Sequence, residues 1–158
     1  MKEIPLTQGK IAIVDDADYE RLSKFKWCVN GRGYAETWMK TRLVRMHRFI
    51  MGENKTQEVD HIDGNKLNNS RANLRFCSHS QNARNGSSHK DSSSCYKGVS
   101  WDKSRNLYEA CIFLNGHKKY LGRFSDEKEA ALAYDRAALE NYGEFARLNK
   151  IQQENASC

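Results

Sequence analysis

Residues 59–85, VDHIDGNKLNNSRANLRFCSHSQNARN, concentrate oxygen and imidazole side chains in an order that suits phosphodiester hydrolysis. The pattern reads as a strand ending at Asp60 and His61, a long polar loop opening at Asp63 and Gly64, a second strand over Leu74–Cys77 and a short helix. Ser78, followed three residues later by Gln81, is a capping box that starts this helix. Asp60 at the strand end and Asn82 on the first turns of the helix then come close enough to share one hard divalent cation, Mg2+ or Mn2+, through oxygen ligands. His61 points to the other side of the strand, and its neutral imidazole can take a proton from a water attacking phosphorus near pH 7. Asn73, in the facing loop, is placed to fix the backbone that orients His61. Singly these residues are ordinary, since a lone Asn in a loop is usually a turn former. The combination carries the chemistry.

The elements on either side must present this set to a substrate. Upstream, residues 10–14 read as a short strand, Asp16 or Asp18 caps a brief helix through Phe25, and Asn30-Gly31 marks a turn before further strands. Over residues 34–48, Lys40, Arg42, Arg45 and Arg48 interleave with Trp38, Met39, Leu43, Val44 and Met46, a basic face beside an apolar one that suits a phosphate backbone. The run NGSSHKDSSS, residues 85–94, has no periodicity and reads as a flexible linker. Downstream, Leu107–Leu114 and His117–Phe124 flank Asn115-Gly116, a strong two-residue hairpin signal. That turn pairs Leu114 with His117 and, continuing, Cys111 with Tyr120 and Ala110 with Leu121. Alternation predicts Ala110, Ile112 and Leu121 on the buried side, and Glu109, Cys111, Phe113, Lys118 and Tyr120 on the other. A helix follows with Ser125 as N-cap, and Ala130, Ala133, Tyr134, Ala137 and Ala138 form its inward stripe. One sheet face is covered by this helix, and the opposite face is left to bind.

Charge narrows the partner. A formal net charge of +6 and a pI near 9.1 favour a polyanion, because each Lys or Arg meeting a phosphate releases condensed counterions. A mean hydropathy of -0.85 with 39% apolar residues describes a soluble folded chain of 158 residues, enough for two small modules. Residues 1–9 show neither a signal peptide nor a membrane span, which predicts no membrane partner and a cytoplasmic location, the host cytoplasm if the chain is phage-encoded. The five cysteines lack a C-x-x-C pair, so no zinc knuckle or disulfide frame is expected, and Cys77 and Cys111 read as small hydrophobes within strands. His47 has no metal-ligand spacing to other residues and is expected to pack or to face DNA.

The 59–85 stretch resembles the HNH nuclease motif in the His-Asn-Asn form found in phage and intron-encoded homing endonucleases, which have a ββα-metal fold. The resemblance covers Asp60-His61, Asn73-Leu74-Arg75 and the run from Gln81 to Asn85. It implies that Asp60 and Asn82 are the metal ligands, His61 the general base and Asn73 the structural middle member. IPLTQGKIAIVDDADYERL and VRMHRFIMG, earlier in the chain, also resemble the N-terminal part of these phage proteins. From Tyr96 onward the chain is similar to the APETALA2/ethylene-response-factor DNA-binding domain, through YKGV, YLGRF and EAA followed by AYDRAA. This resemblance implies a three-stranded sheet entering the major groove, with Lys97, Trp101, Lys103, Arg105, Lys118 and Tyr120 as DNA contacts. Cys111 and Phe113 stand where plant members carry charged base-reading side chains, and Ser100 replaces a frequent Arg.

The expected fold is therefore α+β: a ββα-metal nuclease module over residues 1–85, a linker at 86–94, a sheet-plus-helix module at 95–150 and a tail at 151–158. The expected function is metal-dependent hydrolysis of double-stranded DNA by a monomer that nicks one strand. Arg75 and Arg84 join Lys40, Arg42, Arg45 and Arg48 as expected backbone contacts. The competing expectation is a catalytically inactive DNA-binding regulator, and a third is an RNA-binding protein with an aromatic-bearing basic sheet.

Overall fold

The computed structural model describes residues 1–52, 56–86 and 92–151, so most of the expected linker and tail lie outside the described residues. The chain divides into two compact units, Met1–Ala83 and Arg84–Cys158. Among the described residues no helix is long and apolar enough to cross a membrane.

The first unit opens with a hairpin of β1 (Lys2–Pro5) and β2 (Ile11–Val14), in which Ile4 pairs with Ala12 and both are buried. Helix α1 (Asp16–Leu22) follows, stopping three residues short of the expected Phe25, with Asp15 at its N-cap. A three-stranded antiparallel sheet comes next: β3 (Cys28–Val29), β4 (Ala35–Met39) and β5 (Arg42–Arg45). The basic run does not continue as strand. Met46–Met51 forms α2, so His47 and Arg48 are helical and Lys40 sits in the β4–β5 turn at φ 55°. Helical spacing buries Met46, His47 and Ile50 together, which strand alternation cannot do. Last come β6 (Glu58–His61) and β7 (Leu74–Cys77), paired antiparallel with Asp60 opposite Arg75 and His61 opposite Leu74, then α3 (His79–Arg84). The core gathers Ile4, Val14, Leu22, Trp27, Met46, Ile50, Val59 and Leu74, with Phe25 and Phe49 packed edge-on around Trp27.

The second unit is a sheet in the order β10-β9-β8, formed by β8 (Val99–Asp102), β9 (Leu107–Leu114) and β10 (His117–Phe124), covered by α4 (Glu127–Tyr142). The hairpin register runs as expected from His117–Leu114 to Tyr120–Cys111 and then shifts. Ala110 pairs with Gly122 rather than Leu121, because a bulge inserts one residue there, with Gly122 at φ 144°. Leu121 still packs against the buried clusters under α4. Cys111 is buried instead of exposed, its Sγ 3.2 Å from Glu109 Oε1, whereas Phe113 is 64% exposed as alternation requires. The N-cap of α4 is Asp126, one residue beyond Ser125: its carboxylate accepts the Glu129 N–H at 2.9 Å. Ala130, Ala131, Tyr134 and Ala138 are buried against the sheet, with Ala133 and Ala137 partly so. Ser93 and Ser94 belong to this unit's hydrogen-bond network: Ser93 Oγ accepts from Trp101 N, and Ser94 Oγ donates to Glu127.

Gly98 is the closest approach in this unit. It sits at φ +77°, and a Cβ there would lie 2.0 Å from a ring carbon of Tyr134. Gly98→Ala is therefore expected to destabilise the second unit by about 2–5 kcal/mol through overpacking and left-handed strain. Urea unfolding followed by near-ultraviolet circular dichroism checks this, and a loss below about 1 kcal/mol would contradict the packing described.

Candidate nuclease site and nucleic-acid interface

Strand β6 is pleated, so Glu58 and Asp60 share one face while Val59 and His61 share the other. On the first face the Asp60 carboxylate, 7% exposed, accepts from Arg75 Nε and Nη2 at 3.2 and 3.0 Å across the β6–β7 pair. Glu58 reaches α3, where Oε2 accepts from Asn82 Nδ2 at 2.5 Å and Oε1 lies 2.9 Å from His79 Nδ1. The Asn82 amide and the His79 imidazole hold the Glu58 carboxyl below the usual carboxylate range. The capping box forms as expected: Ser78 N donates to Gln81 Oε1, and Gln81 N donates to Ser78 Oγ. It begins α3 where Asn82 comes into reach of Glu58.

On the second face His61 is 3% exposed, and its Nε2 lies 3.3 Å from Asn69 Oδ1. An amide oxygen facing Nε2 fits the tautomer that carries its proton on Nε2 and its basic lone pair on Nδ1. His47 stacks edge-on at 4.9 Å between ring centroids, with Tyr34 5.2 Å from His47. Burial lowers the His61 pKa and takes that of His47 down to about 3. Both rings are therefore neutral near pH 7. His47 Nδ1 and Asn69 Nδ2 are buried with no hydrogen-bond partner among the described residues, and such groups call for a reason other than stability.

The loop between the strands is held by side chains, above all by Asn73. Its Oδ1 accepts from Asp63 N at 3.0 Å, its Nδ2 donates to Asp63 Oδ1 and Asn68 O, and its backbone carbonyl accepts from Ile62 N. Asn73 thus clamps residues 62–68, and Asn69 makes the direct contact with the imidazole. Sequence reasoning overlooked Asn69, His47 as a ring partner, and Glu58. The only sequence signals were NNS beside an already polar loop and a carboxylate two residues before Asp60.

The expected DNA contacts divide. Lys40, Arg42, Arg48, Lys103, Arg105, Lys118 and Tyr120 are exposed. Arg105 also pairs with Asp102 and Lys118 with Glu109, at 3.1 and 3.2 Å. Arg45 lies 5.1 Å over the Tyr34 ring, Arg84 lies 4.9 Å over Tyr142, and Trp101 packs on Tyr108. Two depart from expectation. The Arg75 side chain is 11% exposed and committed to Asp60, so it holds a site carboxylate rather than lying on the surface. The Lys97 ammonium donates to the Arg84 and Gly86 carbonyls at 2.5 Å, and burial lowers its pKa to about 8.

Strand, clamped loop, strand and helix, with Asp60-His61 at the end of the first strand, define a ββα-type endonuclease. The HNH endonuclease family model matches residues 52–84, and the AP2 domain model matches residues 94–144. An uncharacterised HNH endonuclease of Acanthamoeba polyphaga mimivirus is 37% identical over 150 residues, covering 91% of this chain and 77% of that protein. Protein 3.8 of Escherichia phage T7 is 36% identical over 89 residues, covering 56% of this chain and 73% of that protein. The chain belongs to the HNH endonuclease family and carries a DNA-binding AP2 domain. HNH nucleases generally depend on a divalent metal, and the Asp60 and Glu58 carboxylates with the Asn82 amide are the residue types that hold a hard cation, while Cys77, opposite Glu58, is kept as the thiol by burial, which raises its pKa to about 11.

His47 makes acid stability a test of this interior. Its folded pKa lies below the unfolded value of 6.5, so the unfolded chain binds the extra proton as pH falls. The stability it preserves is complete above about pH 6.5 and drains away toward about pH 3, at up to about 1.4 kcal/mol per pH unit. Urea unfolding at pH 7 and pH 5 is expected to show this loss, and His47→Phe to flatten the slope. An unchanged slope in His47→Phe would mean that His47 is not held neutral.

Proposed function

We propose that this chain nicks double-stranded DNA as a monomer in a reaction that requires a divalent cation. The observation that carries the reading is the division of β6. A buried His61, held through Nε2 by Asn69, stands beside Asp60, whose face of the strand leads through Glu58 to Asn82. In this reading His61 Nδ1 takes the proton from water as the water attacks phosphorus. Asn69 keeps the ring in the required tautomer, and Asn73 keeps the loop that bears Asn69 in place. Asp60 and Asn82 would hold one Mg2+ or Mn2+, which stabilises charge on the leaving oxygen when bound. Arg75 aims the Asp60 carboxylate, and Glu58, by engaging Nδ2 of Asn82, leaves the amide oxygen as that residue's donor. The exposed cations Lys40, Arg42 and Arg48, with Lys103, Arg105, Lys118, Trp101 and Tyr120 of the AP2 domain, hold the DNA. Two tethered DNA-binding modules bind more tightly than either alone. One active site per chain supports a nick rather than a double-strand break.

Supercoiled plasmid bearing source genomic DNA, incubated with Mg2+ or Mn2+, is expected to convert to open circles and to stay intact in EDTA. His61→Ala should slow conversion by about 100-fold or more, and Asn69→Ala by a smaller factor, both with DNA affinity unchanged. Linear product from single binding events would replace nicking with double-strand cleavage. DNA that is bound but uncut with every metal would instead favour the inactive regulator.

A further inference from the structure

Strands β4 and β5 expose an apolar pair that neither the core nor the nuclease site uses. Trp38, 69% exposed, lies directly opposite Leu43, 47% exposed, one step from the Lys40-Thr41 turn. The other face of the same strands is anchored. Thr37 pairs with Val44, both are buried, and Thr37 Oγ1 donates to Lys26 O at 2.6 Å. Further along the outer face Glu36 stands opposite Arg45 and accepts from Asn30 Nδ2, so its carboxylate is engaged. The hairpin is therefore a stiff support carrying one aromatic and one aliphatic side chain.

Charge identifies the occupant. Residues 37–52 contain Lys40, Arg42, Arg45 and Arg48 and no carboxylate, and Lys40, Arg42 and Arg48 are exposed. An apolar wedge beside a turn whose charged side chains are Lys40 and Arg42, with the nearest carboxylate of the same face, Glu36, already engaged by Asn30, complements a polyanion with π-faces in its interior, which is a nucleic acid. We propose that Trp38, backed by Leu43, inserts at a base step of duplex DNA and opens its stacking, while Lys40 and Arg42 hold the adjacent phosphates. Apolar side chains used in this way kink the duplex and expose more of it to the protein. The proposal rests on the reading of this unit as DNA-binding.

The test uses the full chain in EDTA, so that no strand is cut, with a pool of mixed-sequence duplexes carrying 2-aminopurine, whose fluorescence rises on unstacking. Anisotropy of an end-labelled duplex reports binding separately. Wild type is expected to give a several-fold fluorescence rise. Trp38→Ala should abolish the rise and weaken binding by about tenfold, Trp38→Phe should retain part of it, and Leu139→Ala, an exposed apolar side chain on α4, should retain it fully. Binding without unstacking by wild type, or a rise that survives Trp38→Ala, would overturn the wedge while leaving the nuclease reading intact. Concentration-dependent dimerisation that Trp38→Ala removes would overturn it in favour of a surface for a second copy of the chain. Failure of wild type to bind any duplex would overturn both readings together.

Discussion

The nuclease unit depends on one buried carboxylate, that of Asp18, and the two arginines that hold it. Asp18, 2% exposed on α1, takes both Arg71 Nε and Arg71 Nη2, at 2.8 and 2.9 Å, while Arg21 Nε binds the same carboxylate at 2.9 Å. Both guanidinium groups also donate to the Ile50 carbonyl at the end of α2. Burial alone would raise the Asp18 pKa, but the two arginines outweigh it and hold the carboxyl below its ordinary value. A carboxylate removed from water needs such paired partners, since losing one leaves a charge uncompensated. The geometry that satisfies the cluster joins α1, α2 and the segment leading into β7, so the loop before β7 has one end pinned.

The other consequence concerns that loop, which is irregular and therefore has no ladder to satisfy its backbone. Side chains and a neighbouring strand do so instead. Ile13 N donates to Leu67 O, and Asn69 N donates to Ile13 O, tying the loop to β2. Arg71 N donates to Asp15, and Asn73 closes the loop on itself. Asn69 is thereby wholly buried beside His61, where a rigid acceptor can select one imidazole tautomer. An imidazole is only as well oriented as the group that holds its ring nitrogen. The hairpin β1–β2 thus supports Asn69, and through it the His61 ring, by backbone hydrogen bonds to the loop.

The AP2 domain solves a different problem with little apolar material. Its helix approaches the sheet through alanines, and Tyr134 fills the space above Gly98, where any side chain would collide with the ring. The C-terminal segment is drawn in by Asn149, whose amide and backbone N–H both donate to Asp135 and whose Oδ1 accepts from Lys97 N. Phe113 and Tyr120 remain exposed on the uncovered face.

Much of this was legible in the residues themselves. Local patterns determine local structure, so the capping box at Ser78, the Asn115-Gly116 hairpin, the inward alanine stripe of α4 and the Asp60-His61 strand end were all readable within a few positions. The division of Asp60 and His61 onto opposite faces follows from the period of two in any strand. Contacts between distant segments were not readable, because a side chain's partner is set by which elements pack together rather than by its neighbours in the chain. Arg75 and Lys97 look like surface cations in sequence, yet one holds Asp60 and the other is spent on backbone carbonyls. The bulge at Leu121 depends on how β10 meets β9, and His47 became a ring partner of His61 because helical spacing turned it inward. The sequence by itself determined which residues could do nuclease chemistry and on which elements they lie. Only the tertiary structure decided which groups hold them, since satisfying buried polar atoms is a long-range constraint.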